Sequence, residues 1–180
     1  CRHTLSGEDL NYSKSIALRK KLLSINPFAN IQAFYSSIPL NSKFTNEKEA
    51  IKKSDLLLEC TTDDFAFEWL NKFVSTKNKR LISMFFNFHT DILTLLVSGT
   101  NISCIDIFNY LKMAVKNGDT KIDSNEYFNY PSKYEQIIEG IGCWHATFPG
   151  LYMHINLLVS AALDIINDHV DNEKGLAVII

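Results

Sequence analysis

The chain has 180 residues, 46% of them hydrophobic and 21% charged, and this balance predicts one ordinary soluble globular domain. The formal net charge of -2 gives no reason to expect nucleic acid or an anionic membrane as a partner. No apolar run reaches the roughly 18 to 20 residues that a bilayer-spanning helix needs. The four cysteines, at positions 1, 60, 104 and 143, form no CxxC pair, which favours a reducing, cytoplasmic location.

The first third of the sequence predicts a helix, a strand and a second helix. Residues 13 to 25 place apolar side chains at helical spacing, with Ser13 as a natural N-cap. Pro27 ends this helix, because the residue before a proline avoids the α region. The segment "NIQAFYSS", at 30 to 37, has the β-propensity of a strand, and "NEKEAIKKS", at 46 to 54, predicts a short solvated helix.

The middle of the sequence predicts alternating strands and helices. Residues 56 to 60 are a nearly continuous apolar run, typical of a strand buried on both faces. An amphipathic helix at 65 to 74 and a buried strand at 80 to 86 follow. Because strand and helix alternate, the pattern favours right-handed βαβ units and a parallel sheet.

The last half of the sequence predicts a strand at 91 to 98, a helix at 105 to 116, a long apolar helix from 151 and a closing strand in "GLAVII". Residues 117 to 134 are polar and rich in turn formers. Long irregular segments inside a domain are often functional.

A polar cluster, "TTDD" at 61 to 64, lies where the strand at 56 to 60 ends and the next helix begins. Thr or Asp is a natural N-cap for that helix. Ligands of open α/β sheets bind at the carboxyl ends of strands, so this cluster is a candidate site. The neighbouring Glu59 is either a further acid of the site or a side chain that emerges at the surface.

Several blocks of the sequence, taken in order, carry a family resemblance. Arg2-His3 precedes a helix that opens with Lys14 and ends in "INP" at 25 to 27, and "LLLECTTDD" follows as a strand with an aspartate-bearing turn. The later blocks are "LTLLVSGTNISC" and "GIGCWHATFPGLYMHINLLVSAALDII". In order and rough spacing they resemble the ubiquitin-activating-enzyme-like superfamily, also called the ThiF/MoeB/HesA family, over nearly the whole chain.

The resemblance implies a Rossmann-like α/β fold, with a mostly parallel sheet flanked by helices and a partly antiparallel C-terminal half. Residues 1–180 would form the carboxyl-terminal two-thirds of one ThiF-like adenylation domain. Within it, 1–90 would be the βαβ part of the nucleotide-binding sheet, and 91–180 would be the hairpin, crossover loop and final helix. The Gly-rich nucleotide loop of the family would precede Cys1.

The sequence departs from the family pattern at two places. Cys104 lacks the second cysteine of a family zinc pair, since Ile105, Asp106 and Ile107 follow it. Phe67 or Glu68 stands where the family often has an arginine.

The activity implied by the resemblance is ATP-dependent adenylation of a carboxylate, usually that of the C-terminal glycine of a ubiquitin-like or sulfur-carrier protein. Cations and Mg²⁺ must then neutralise the phosphate charge. Arg2 is the expected bidentate phosphate clamp, and Lys14 is expected to bind phosphate at a helix start. Asp63 is the expected Mg²⁺ ligand, with Asp64 second because the register shifts by one residue. Relatives of this kind usually form homodimers.

Some members of the superfamily then pass the acyl group to a cysteine thiolate. Cys143 lies close to where the resemblance places this thiol, and His145 is near enough in sequence to lower its pKa. The alternative is that Cys143 is a buried structural residue beside Trp144. A zinc site built on Cys143 and His145 would lack paired ligand spacing. Cys60 ends a predicted buried strand and is expected in the core, and Cys104 is expected to be structural.

Structural and functional alternatives remain open at this point. Asp63 would serve equally as a plain N-cap, and Lys14 as a solvated helix residue. At the level of the whole protein, the alternatives are a non-catalytic partner that dimerises and docks a protein substrate, or an unrelated Rossmann-like binding module.

Overall fold

The structure, a computed structural model, describes residues 9, 11–40, 43–61, 63–76, 79–87, 89–128, 151–171 and 173–180. These residues form an α/β fold with four strands and six helices of four residues or more, which confirms the predicted class. The chain divides into two compact units, Cys1–Lys53 and Ser54–Ile180. Arg2, Cys143 and His145 lie outside the described residues.

The first unit contains helix α1, Lys14–Ile25, and helix α2, Thr45–Lys53. The predicted cap is confirmed, since the Ser13 hydroxyl accepts a hydrogen bond from the Ile16 amide. Helix α2 has no buried residue, in agreement with the solvated helix predicted there.

The strand predicted at 30 to 37 is wrong, because this segment has no regular secondary structure. High β-propensity measures how well side chains fit a pleated surface beside a neighbouring strand. No described strand pairs with this segment, and the Arg19 side chain instead donates a hydrogen bond to the Ile31 carbonyl at 2.7 Å. Tyr35 is 82% exposed, as expected for a residue outside a packed sheet.

The second unit is built on a sheet with the order β1-β2-β3-β4. Its strands are β1 (Leu56–Glu59), β2 (Arg80–Phe86), β3 (Leu93–Val97) and β4 (Leu176–Ile179). Strands β1 and β2 are parallel, and helix α3, Asp64–Ser75, connects them, so the predicted βαβ unit is confirmed. The β2–β3 and β3–β4 pairs are antiparallel, as expected for the C-terminal half.

Three further helices complete the second unit: α4 (Cys104–Asn117), α5 (Ser124–Tyr127) and α6 (Tyr152–His169). A capping box between Ser103 and Asp106 begins α4. Gly118 ends it with φ 75°, a left-handed conformation that glycine adopts without steric cost. Among the described residues, no helix has the length and apolar character needed to span a bilayer.

The core lies on both faces of the central strands. On one face, Leu158 and Ala162 of α6 pack with Ile82 of β2 and with residues of β3. On the other face, Phe85 of β2 contacts Phe108 of α4, with ring centroids 5.0 Å apart. The predicted burial of β2 is confirmed for residues 81 to 83, whereas Arg80 and residues 84 to 86 are half-buried.

Strand β1 is not buried on both faces as predicted. Leu56 and Leu58 are 40% and 53% exposed, whereas Glu59 is only 3% exposed. Strand β1 is at the edge of the described sheet, and successive side chains point to opposite faces. Glu59 therefore lies on the covered face of this strand, and Leu56 and Leu58 lie on the exposed face. The run of three leucines does not mean that both faces are buried.

Candidate functional site

The predicted turn at the carboxyl end of β1 is present, and Asp63 is the N-cap of α3. One carboxylate oxygen of Asp63, Oδ1, accepts a hydrogen bond from the Ala66 amide at 2.8 Å. Asp64 follows as the first residue of the helix, and both aspartates are exposed. The acidic turn (residues 61–64) thus lies where ligands bind in open α/β sheets.

The acidic turn has the donor chemistry of a magnesium site that is shared with phosphate. Among the described residues, no group of three or more His, Cys, Asp or Glu side chains could hold a metal ion. Mg²⁺ needs no such cage, because one or two carboxylates together with substrate phosphates and water usually complete its octahedron. An exposed carboxylate at Asp63, with Asp64 beside it, fits that requirement.

Glu59 is the last residue of β1, just before the acidic turn, and its carboxylate accepts more hydrogen bonds than that of Asp63 or Asp64. Its Oε1 accepts hydrogen bonds from the Thr61 amide and from the Thr61 hydroxyl, both at 2.6 Å. Its Oε2 accepts a hydrogen bond from the Ser83 hydroxyl at 2.5 Å. Ser83 is fully buried and faces Glu59 in the β1–β2 register. Of the two alternatives for Glu59, emergence at the surface is excluded.

Asn71 is a further buried polar residue near the acidic turn, and it was not singled out from the sequence. Its side-chain amide donates to the Phe67 carbonyl at 2.7 Å, and its Oδ1 accepts from the Ile105 amide at 3.2 Å. Asn71 is 3% exposed and joins α3, which carries the acidic turn, to the first turn of α4. The sequence signal that could have identified Asn71 is its position, as a polar residue on the apolar face of the predicted helix.

Lys14 is exposed at the first position of α1 in the first unit, whereas Asp63 belongs to the second unit. A cation at a helix start adds to the positive end of the helix dipole instead of balancing it. The first turn of α1 has no acidic residue to offset this charge. This end of α1 therefore has a positive potential, and phosphate binding by Lys14 stays a prediction.

The two described cysteines are poor nucleophiles. Burial raises the pKa of Cys104 to about 12, and its thiol donates a hydrogen bond to the Leu81 carbonyl at 3.2 Å. Cys60 is exposed, so its predicted place in the core is wrong. Partial desolvation, and then the charge of Glu59, raise the pKa of Cys60. Both thiols are therefore protonated at neutral pH, and the thiolate is the reactive form.

No family model matches the chain. Over 149 residues, however, it is 27% identical to the ATP-dependent ubiquitin transferase-like protein Cap2 of Enterobacter hormaechei subsp. hoffmannii (strain UCI 50). This match supports the resemblance to the ubiquitin-activating-enzyme-like superfamily that the sequence motifs predicted. The similar region covers 82% of the present chain and 22% of Cap2, so the chain corresponds to about a fifth of that relative.

Two solved structures also align with the chain. The crystal structure of selenomethionine-labelled PaaA aligns with 97% of the chain, at a TM-score of 0.48 and 13% identity. The crystal structure of E. coli MccB aligns with 91% of the chain, at a TM-score of 0.43 and 16% identity. The aligned parts are 54% of the PaaA chain and 41% of the MccB chain.

Proposed function

We propose that the chain is part of an ATP-dependent enzyme that adenylates the C-terminal carboxylate of a ubiquitin-like or sulfur-carrier protein. An oxygen of that carboxylate attacks the α-phosphorus of ATP, the acyl adenylate forms, and pyrophosphate leaves. The observation that carries the proposal is the exposed Asp63 in the turn after a parallel strand, within a region similar to Cap2. Cap2 is itself named as ATP-dependent and ubiquitin transferase-like.

In this proposal each charged residue acts on the nucleotide phosphates. Asp63 would hold Mg²⁺, with its Oδ1 also capping α3, and the ion would neutralise phosphate charge. Lys14 adds its charge to the amino-terminal end of α1 and stabilises the charge that develops on the phosphates. Arg2 is proposed as a bidentate phosphate clamp, as in the sequence prediction.

A second step, transfer of the acyl group to a thiol, is assigned to Cys143. The sulfur forms a thioester with the carrier's carbonyl carbon, and AMP leaves. This assignment is supported by the raised pKa of Cys60 and of Cys104, because both residues are less suited to act as nucleophiles at neutral pH.

The second candidate is a non-catalytic partner that dimerises and docks the protein substrate. The capping role of Asp63 favours this candidate, since the hydrogen bond to Ala66 by itself explains an aspartate at this position. Substitution by asparagine separates the two roles of Asp63, helix cap and Mg²⁺ ligand, because asparagine caps a helix about as well as aspartate but has no charge for Mg²⁺.

The test is ATP–pyrophosphate exchange by the full-length protein with its carrier. Asp63→Asn should lower exchange at least ~100-fold, because loss of a residue that only orients a metal ligand already costs about 10- to 100-fold. This substitution should leave stability nearly unchanged. Asp63→Ala should lose exchange and also about 1 kcal/mol of stability through the lost cap.

Asp55 offers a matched control, because it is an exposed aspartate just before the amino end of the same strand. Asp55→Asn should keep wild-type exchange. Wild-type exchange in Asp63→Asn together with loss in Asp64→Asn would transfer the role to Asp64. Wild-type exchange in both variants would show that neither aspartate is the Mg²⁺ ligand. Absence of exchange in the wild-type protein with its carrier would favour the non-catalytic candidate.

A further inference from the structure

Glu59 is a buried carboxylate at a position where an apolar residue would be expected. It ends strand β1, is 3% exposed, and has three hydrogen-bond donors directed at its two oxygens. Burying a carboxylate costs several kcal/mol unless such bonds replace its water. All of its donors come from the acidic turn or from β2, so its contacts join these two parts of the molecule.

The hydrogen bonds of Glu59 continue into the acidic turn. The Thr61 hydroxyl, which donates to Glu59, also accepts a hydrogen bond from the Asp63 amide at 3.3 Å. Asp63 in turn accepts from the Ala66 amide at 2.8 Å. A continuous path therefore runs from Ser83 in β2, through Glu59 and Thr61, to the aspartate at the start of α3.

We propose that Glu59 is a positioning residue that, through Thr61, holds Asp63 in the orientation needed to share a divalent cation with nucleotide phosphates. The inference rests on the proposed function, in which Asp63 is the cation ligand. Partners that orient a metal ligand without touching the metal commonly change metal affinity about 10- to 100-fold when they are removed. Glu59 has the contacts of such a partner, because its own carboxylate is buried and engaged while that of Asp63 is exposed.

Two substitutions interrupt the path at different points. Glu59→Gln keeps the size of the side chain but places an amide NH₂ group where one of the carboxylate oxygens now accepts hydrogen bonds. Thr61→Val removes the hydroxyl that links Glu59 to Asp63, and Thr61 is exposed, so the core stays intact if Glu59→Gln folds poorly.

Tyr127→Phe is the matched control. It removes the buried hydrogen bond between the Tyr127 hydroxyl and Thr94, which are 3.0 Å apart. The control therefore loses a comparable interaction of the same unit, away from the acidic turn.

The first measurement is amide hydrogen exchange of the nucleotide-free, full-length protein. The two variants Glu59→Gln and Thr61→Val, called the turn variants, should both exchange faster than wild type at the amides of positions 61 and 66. The reason is that each variant loses a hydrogen bond that holds the acidic turn in place. Tyr127→Phe should match wild type at these two amides. This measurement does not depend on activity.

The second measurement is the Mg²⁺ dependence of ATP–pyrophosphate exchange. Both turn variants should need about 10- to 100-fold more Mg²⁺ for half-maximal rate, with a smaller change in the rate at saturating Mg²⁺. A residue that only stabilised the fold would leave this half-maximal concentration unchanged, as Tyr127→Phe should.

The results separate failure of this inference from failure of the proposed function. If wild type catalyses exchange and both turn variants keep its Mg²⁺ dependence, the positioning role is refuted while the proposed function stands. A shift in Glu59→Gln without a shift in Thr61→Val would refute the path through Thr61. If wild type shows no exchange, the proposed function fails, and hydrogen exchange alone then decides whether Glu59 holds the turn.

Discussion

Cys104 should make the stability of the protein fall at alkaline pH, and its substitution should remove that fall. The side chain is fully buried at the start of α4, where its thiol donates to the Leu81 carbonyl. Burial is the main reason that its pKa rises from 9.0 to about 12, and the nearby charge of Glu59 adds to the effect. The folded protein therefore keeps the thiol proton over a pH range in which the unfolded chain releases it.

The size of the effect follows from linkage between proton binding and folding. Above pH 9 the unfolded chain binds fewer protons than the folded protein, so the free energy of unfolding falls as pH rises. Each pH unit in this range costs about 1.4 kcal/mol, until the pH approaches the folded value near 12. Between pH 8 and pH 10 the contribution of Cys104 amounts to about 1.4 kcal/mol, because most of it arises above pH 9.

Urea-induced unfolding at pH 8, 9 and 10, under reducing conditions, measures this contribution. Between pH 8 and pH 10 the free energy of unfolding of wild type should fall by about 1.4 kcal/mol more than that of Cys104→Ala. At pH 8 the variant should already be less stable than wild type, because it lacks the buried sulfur. Tyr127 also has a pKa raised by burial, but it is present in both proteins and cancels in the comparison. Parallel curves for the two proteins would refute the reasoning, because they would show that folding does not raise the pKa of Cys104.

Two further predictions concern the proposed reaction and the assembly. Cys143→Ala in the full-length protein should leave adenylation intact and abolish the reductant-sensitive adduct with the carrier protein on a non-reducing gel with ATP; an adduct that persists would move the role to another cysteine. The full-length protein should sediment as a homodimer, because large apolar side chains such as Phe65, Tyr110 and Leu157 are exposed; a monomer at micromolar concentration would contradict this.

Local signals were sufficient to predict most elements of the fold. Residues 80 to 86 were predicted as a strand, and β2 spans Arg80–Phe86. The first helix begins at the predicted Ser13 cap, because an N-cap depends on a hydrogen bond to a residue three positions away. The acidic turn was also predicted in place, since a strand, a capping aspartate and a helix follow each other within a few residues.

Errors arose where the outcome depends on distant residues. The segment at 30 to 37 has the composition of a strand, yet no described strand pairs with it. Cys60 was expected in the core and is exposed.

By itself, the sequence determined the α/β class, the place of the acidic turn and the family resemblance, because these depend on local periodicity, caps and motif order. Tertiary structure alone decided which side of β1 is covered. Alternation along a strand places Leu58 and Glu59 on opposite faces, but it does not say which face is buried. Ser83, which lies 24 positions beyond Glu59, donates the hydrogen bond that makes burial of this carboxylate possible. Glu59 consequently lies inside and Leu58 is exposed, since a buried carboxylate needs partners that only the neighbouring strand and turn supply.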